Sequence, residues 1–229
     1  MAVALIVAAG RGERLGSPGP KALVTIAGRP MLEWSVAALR GVAVVRSIVV
    51  ALPGDRLDLA PDGVIAVAGG ETRSDSVSAA LAVAPEGEEV VIVHDAARAL
   101  ATPALFAEAV RELERLAVDA VVAAAPVTDT IKRVGSDGRA VELTLDRSRL
   151  WAIQTPQVFR RQALARALAS SAELVAAATD DAWLVERQGG TVAVLPASPE
   201  NFKITTPLDL RLADMLLRER GERPRRGER

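Results

Sequence analysis

Two hydrophobic patterns alternate along the chain. Residues 3–7, 47–51, 90–93, 120–125 and 192–195 are short, nearly unbroken apolar runs rich in valine. A run without polar alternation leaves no face for water, so each predicts a strand buried on both sides. Residues 31–40, 73–83, 103–116 and 160–169 instead space their apolar positions at helical intervals. Thr102 followed by Pro103 is a strong helix start, a capping hydroxyl with proline at the first helical position. Strands alternating with helices predict an α/β fold, a mostly parallel sheet with helices on both faces. Such sheets bind ligands at the carboxyl ends of their strands, so the loops after Val7, Leu52, Val93 and Ala125 are the first places to look for chemistry.

One segment breaks this rhythm. Residues 129–150, "DTIKRVGSDGRAVELTLDRSRL", alternate with period two on either side of "GSDG", which predicts a β-hairpin. A lone hairpin is marginally stable, so this one is expected to project as an arm toward a partner. The final "RERGERPRRGER" has no apolar face and predicts a frayed end, with 221–229 a disordered tail. The rest reads as one domain spanning 1–229.

Composition narrows the classes. With 28 Lys and Arg against 29 Asp and Glu, the net charge is -1, so nothing points to a nucleic-acid surface. The absence of cysteine excludes disulfides, thiolate metal sites and a cysteine nucleophile, and fits a reducing compartment. Residues 1–9 are too short for a membrane span and run into glycines rather than a cleavage pattern, so a cytoplasmic protein without membrane association is expected. Asn201 is the single asparagine, a depletion that hints at heat adaptation.

Against this neutral background, "LIVAAGRGERLGSPGPKAL" (5–23) stands out: a buried strand opens into a loop holding four glycines, two arginines and a lysine. The dinucleotide fingerprint fails at Leu15, where its third glycine is needed, and the P-loop pattern fails at Ala22, where Ser or Thr must follow the lysine. A loop wrapping polyphosphate remains, with Gly10 and Gly12 admitting close backbone approach and Arg14 and Lys21 neutralising charge on a transferring phosphoryl group. A solvated glycine turn is equally open on loop composition alone.

"VIVHDAARAL" (91–100) shifts the balance. Asp95 follows a strand directly, and one carboxylate opposite a polyphosphate loop is what Mg²⁺ needs, since phosphates and water complete its octahedron. Arg98 is placed to contact phosphate or to hold Asp95, whereas His94, the single histidine, reads as a packed strand residue rather than a base. In "AGGETRSDSV" (68–77), Gly69, Gly70 and Ser76 could reach a nucleobase or ribose, and a plain helix cap by Ser74 or Asp75 explains the stretch as economically. Thr130, Arg147, Thr155, Thr179 and Lys203 add the hydroxyls and cations that a second phosphorylated substrate requires.

The ordered set "AAGRGERLGSPGPKAL", "AGGETRSDSV", "VHDAAR", "DTIKR", "LDRSRLWAIQTPQVF", "TDDA" and "NFKIT" resembles the 2-C-methyl-D-erythritol 4-phosphate cytidylyltransferases over nearly the whole chain. The resemblance implies a Rossmann-like nucleotidyltransferase fold, a homodimer joined through its arms, CTP as donor, a polyol phosphate as acceptor and Mg²⁺ as cofactor. It implies that Arg14, Lys21 and Lys203 are catalytic, that Asp95 holds the metal, and that Ala8, Ala9, Gly10, Gly70, Ser76 and Asp95 contact CTP. Arg98, Thr130, Arg147, Thr155, Thr179 and Lys203 resemble the acceptor set, with Arg147 reaching the neighbouring subunit's site. This chain departs from the family pattern at Ala22, Ala99 and Glu71, where Gln, Pro and Asp are usual. Ribitol 5-phosphate cytidylyltransferases share much of the set; sugar-1-phosphate and molybdopterin nucleotidyltransferases are more distant, and a non-catalytic nucleotide-binding module is the alternative outside enzymes.

Overall fold

The computed structural model describes residues 1–10, 12, 15, 16 and 19–222. In chain order the elements are β1 (Ala2–Val7), β2 (Thr25–Ile26), β3 (Arg29–Pro30), α1 (Met31–Arg40), β4 (Val45–Leu52), β5 (Ile65–Ala68), α2 (Arg73–Val83), β6 (Val90–Asp95), α3 (Pro103–Leu116), β7 (Ala120–Pro126), β8 (Lys132–Val134), β9 (Val141–Thr144), β10 (Trp151–Arg160), α4 (Arg161–Leu168), α5 (Ala172–Ala177), α6 (Asp181–Arg187), β11 (Val192–Pro196) and α7 (Pro207–Glu222). A seven-stranded sheet runs β11-β7-β10-β6-β1-β4-β5. Its pairings are parallel except at β10, which lies antiparallel between β6 and β7.

The unbroken apolar runs follow from a sheet covered on both faces. Successive side chains of β1 go to opposite sides: Leu5 packs with Val49, Val91 and the α2 residues Val77 and Ala80, while Ile6 packs with Val50, Ile92, Leu39 of α1 and Phe106 of α3. Each such side chain is fully buried, a gain of about 1.5–3 kcal/mol apiece before the entropy of ordering is subtracted. The register places Val7 opposite both Ala51 and Asp95, and Leu52 opposite Ala68, so β1, β4, β5 and β6 end along one sheet edge. A third cluster, with Leu15, Met31, Leu100, Ile204 and Leu217, ties the glycine-rich loop to α7.

Several elements differ from the sequence expectation. Strand β10 includes "QTPQVF", where apolar alternation is masked by Gln154, Thr155 and Gln157, all buried by tertiary contacts. β5, α5, α6 and α7 are short or weakly patterned, and periodicity does not reveal them. α7 runs through Glu222, into the stretch expected to fray, with Arg218 paired to Asp214 at 2.6 Å and Arg220 donating to Leu100 O at 2.7 Å. Its charged end continues a helix whose Ala213 and Leu217 are buried. Residues 223–229 lie outside the described set. The cap of α2 is Thr72, not Ser74 or Asp75; Asp75 is the reciprocal partner in a capping box. The hairpin is present as β8 and β9, a separate two-stranded sheet with exposed Val134, Val141 and Leu143. No helix among the described residues is long and apolar enough to cross a membrane.

Candidate active site

A cavity of about 1360 Å³ opens where β1, β4, β5 and β6 end. Its wall brings together Ala8, Ala9, Gly10, Lys21, Gly70, Ser76, Asp95 and Lys203, eight of the residues singled out in the sequence. Three of the four loops expected to carry ligand line it, those after β1, β4 and β6. The loop after β7 leads into the arm instead, and the turn after β5 takes the remaining place. Arg14 lies outside the described residues.

The glycine-rich loop folds back on the strand it leaves. Lys21 N–H donates to Gly10 O at 3.3 Å, and Leu15 N–H to Gly12 O at 2.8 Å. Gly12 has φ +71°, and a Cβ there would stand 2.6 Å from the Lys21 Cβ, so only glycine lets the loop close against the lysine. Across the cavity, the turn after β5 is equally tight. A Cβ on Gly70 would stand 2.2 Å from that of Asp75. Ser76 Oγ accepts from Gly70 N–H at 3.1 Å and donates to Thr72 O at 3.1 Å, so this hydroxyl shapes the turn.

Asp95 forms the charged floor. Arg73 Nε donates to its Oδ1 at 3.0 Å and Lys203 Nζ to its Oδ2 at 2.7 Å. Burial opposes ionisation, yet the adjoining Arg73 and Lys203 hold the Asp95 pKa well below the ordinary carboxylate range. Lys203 is set by its neighbours: Ile204 is fully buried and donates N–H to Ala97 O at 2.8 Å, and Asn201 Nδ2 donates to Gln154 Oε1 at 2.7 Å and Thr155 O at 2.9 Å. The single asparagine thus pins the Lys203 loop to β10.

The remaining candidates divide into two groups. Thr155 and Arg98 stand behind the floor. Thr155 Oγ1 accepts from Asp95 N–H at 3.1 Å and lies 3.0 Å from His94 Nδ1. Arg98 donates to Asn201 O at 2.8 Å and Ile153 O at 3.2 Å, bridging the Lys203 loop and β10. His94 is fully buried edge-on against Phe106, and burial lowers its pKa to about 3, which fits packing rather than proton transfer. Thr130 and Arg147, by contrast, are exposed on the arm and do not line the cavity; Arg147 donates to Thr128 O. Thr179 is exposed just before α6.

Sequence reasoning missed Arg73, Asp181, Asp55 and Arg56. Arg73 and Asp181 sit inside stretches already recognised as motifs, but the two lie 108 positions apart and only folding joins them. Asp55 and Arg56 line the cavity from the turn after β4, where no local pattern marks them.

The donor set bears on a metal. Among the described residues no group of three His, Cys, Asp or Glu could hold an ion by itself. A single ionised carboxylate facing a cavity large enough for a nucleotide nevertheless fits Mg²⁺, which takes one or two protein oxygens and fills its shell with phosphates and water. Each Asp95 oxygen retains a second lone-pair direction beyond its present hydrogen bond.

Comparison with known proteins gives the family and the fold. A family model described as 2-C-methyl-D-erythritol 4-phosphate cytidylyltransferase matches residues 2–219. A relative of that name from Saccharopolyspora erythraea is 47% identical over 224 residues, covering 94% of this chain and 98% of its own. Another from Frankia casuarinae is 46% identical over 217 residues, covering 93% and 80%. Among solved structures, 2-C-methyl-D-erythritol 4-phosphate cytidylyltransferase from Thermus thermophilus superposes with a TM-score of 0.78 at 33% identity, covering 93% of this chain and 98% of that one.

Proposed function

Because the chain belongs to the 2-C-methyl-D-erythritol 4-phosphate cytidylyltransferase family, we propose that its cavity joins CTP to 2-C-methyl-D-erythritol 4-phosphate, giving 4-diphosphocytidyl-2-C-methyl-D-erythritol and pyrophosphate for isoprenoid synthesis. The observation that carries this reading is the convergence of Lys21, Lys203 and Asp95 with two glycine-shaped turns on one cavity at the carboxyl ends of parallel strands.

The acceptor's phosphate oxygen attacks the α-phosphorus of CTP in line. A new P–O bond forms, the bond between the α-phosphorus and the bridging oxygen breaks, and its electron pair leaves with pyrophosphate. The nucleophile is already anionic at neutral pH, so no general base is required, and buried His94 is not asked to supply one. The obstacle is the approach of two polyanions. Lys21 and Lys203 reduce that repulsion and stabilise charge on the pentacoordinate phosphorus, with Arg14 assigned the same task by its motif. Ala8, Ala9, Gly10 and Gly70 offer backbone close enough for the nucleotide to lie against. Asp95 and the nucleotide phosphates would hold Mg²⁺, which when bound supplies further charge neutralisation at the reacting phosphate.

A homodimer is part of the same reading. It is supported by the exposed apolar residues of the arm and by Arg147 and Thr130, which do not line their own chain's cavity. The absence of cysteine supports a cytoplasmic setting.

The test is pyrophosphate release from CTP against a panel of polyol phosphates. Turnover with 2-C-methyl-D-erythritol 4-phosphate, well above that with ribitol 5-phosphate, is expected. Preference for ribitol 5-phosphate would reassign the acceptor, and CTP binding without pyrophosphate release from any acceptor would leave a nucleotide-binding module.

A further inference from the structure

Asp95 has two cationic partners, and they are held very differently. Lys203 reaches it from a loop, and its side chain is 42% exposed. The Arg73 side chain is 24% exposed and is gripped from both ends: Nε lies on Asp95, and Nη1 donates to Oδ2 of Asp181. Asp181 is completely buried as the first residue of α6, does not line the cavity, and its Oδ1 has no hydrogen-bond partner among the described residues. An apolar side chain would fill such a position at lower desolvation cost, so packing alone does not account for a carboxylate there.

We propose that Asp181 is a positioning residue for the reaction: it clamps Arg73 onto Oδ1 of Asp95, so that Asp95 keeps its orientation when Lys203 leaves Oδ2 for a phosphate. The two cations then have separate tasks. Arg73 is the fixed anchor of the carboxylate, and Lys203 is the exchangeable partner whose departure presents Oδ2 to a divalent cation carried in with the triphosphate. Entry of the polyanion and exposure of the cation ligand become one event. Without the clamp, Arg73 is free to follow the phosphates too, and Asp95 loses the contact that orients it.

This rests on the reading of the cavity as a CTP and divalent-cation site. The experiment measures Mn²⁺ binding by electron paramagnetic resonance in the presence of CTP, metal-free CTP binding by calorimetry, and thermal unfolding, for wild type, Asp181→Ala, Asp181→Asn and Arg73→Lys. Asp181→Ala is expected to weaken Mn²⁺ binding in the CTP complex by about tenfold or more, the scale of losing an outer-shell support, with metal-free CTP binding not weakened. Asp181→Asn, which keeps an acceptor of the same shape, should recover part of the loss. Arg73→Lys keeps the charge but cannot span both carboxylates, and should lose Mn²⁺ affinity even if the Asp181 variants fail to fold. Folded Asp181→Ala that binds Mn²⁺ as wild type does, with only its melting temperature lowered, would make Asp181 purely structural and overturn the proposal. Should neither Asp181 variant fold, wild-type Mn²⁺ affinity in Arg73→Lys overturns it as well. Failure of the wild type itself to bind Mn²⁺ with CTP would overturn both this proposal and the cation role of Asp95.

Discussion

The floor of the cavity and the arm both carry charged residues, but they hold them by different means. Asp95 is 9% exposed and lies between two cations at 3.0 and 2.7 Å. On the arm, Arg133 and Glu142 pair at 3.1 Å with side chains 63% and 49% exposed, in a setting where such pairs contribute about 0–1 kcal/mol and are screened by salt. The floor takes its geometry from the packing of its own chain: β6 delivers Asp95, α2 delivers Arg73, and buried Asn201 and Ile204 fix the Lys203 loop. The arm has two short strands, every residue of which is exposed. Charges on the floor are therefore held in a buried, fixed setting, whereas those on the arm stay in contact with solvent.

The largest break in this comparison is expected from Asp95→Asn. Removing the charge leaves Arg73 and Lys203 facing a neutral amide and should lower kcat by roughly 10³-fold, the upper end for losing one electrostatic stabiliser, with an unfolding penalty of at most about 3 kcal/mol because Arg73 keeps Asp181. Steady-state kinetics over a Mg²⁺ titration, with urea unfolding beside it, separates the two effects. Wild-type magnesium dependence in the variant would mean the metal is held elsewhere.

Lys21→Ala should come next, lowering kcat by roughly 10²-fold with the fold retained. Near wild-type turnover would remove Lys21 from the transition state.

The arm is tested by complementation. Arg147→Ala and Lys21→Ala subunits, denatured together and refolded, should regain activity if Arg147 serves the partner's site. Random pairing makes about half the dimers mixed, each with one intact site, so roughly a quarter of wild-type activity is expected from independent sites. Recovery no greater than that of the parents would place Arg147 in its own chain's site.

The smallest expected effect is on pH and stability. His94 is neutral in the fold, with its pKa lowered from 6.5 to about 3, so below pH 6.5 the unfolded chain binds a proton that the folded chain does not. Stability should fall as pH drops through that window, by about 2 kcal/mol between pH 7.5 and 5.0, since each unit below the unfolded pKa costs about 1.36 kcal/mol. Asp95, its pKa depressed, keeps its contribution above the unfolded carboxylate value and does not confuse this range. Urea unfolding at the two pH values checks it, and His94→Gln should flatten the slope. An equal slope in the variant would assign the titration to another group.

Much of this is legible without coordinates. Continuous valine-rich runs are explained by strands covered on both faces, so a mostly parallel sheet, and with it the strand ends on which the cavity opens, follows from periodicity. The glycines at 12 and 70 are legible as points of close approach, although only the fold reveals that the neighbours a side chain would strike are Lys21 and Asp75. Less legible are residues whose meaning depends on distant partners. Thr155 reads as one of several hydroxyls for a second substrate, yet it lies within β10 and accepts from Asp95 N–H. Asn201 suggests only thermal adaptation from its rarity, yet it pins the loop that carries Lys203 to β10.

Spacing within a few residues was enough to mark the main strands, the point where the glycine-rich loop must open, and several of the stretches that line the cavity. It could not say that Arg73, from the start of α2, would be held between Asp95 and Asp181, 22 and 108 positions away. That arrangement exists only once the chain has folded. A buried charge is defined by the groups that surround it in space, and local sequence does not specify which distant carboxylate the fold will bring to it.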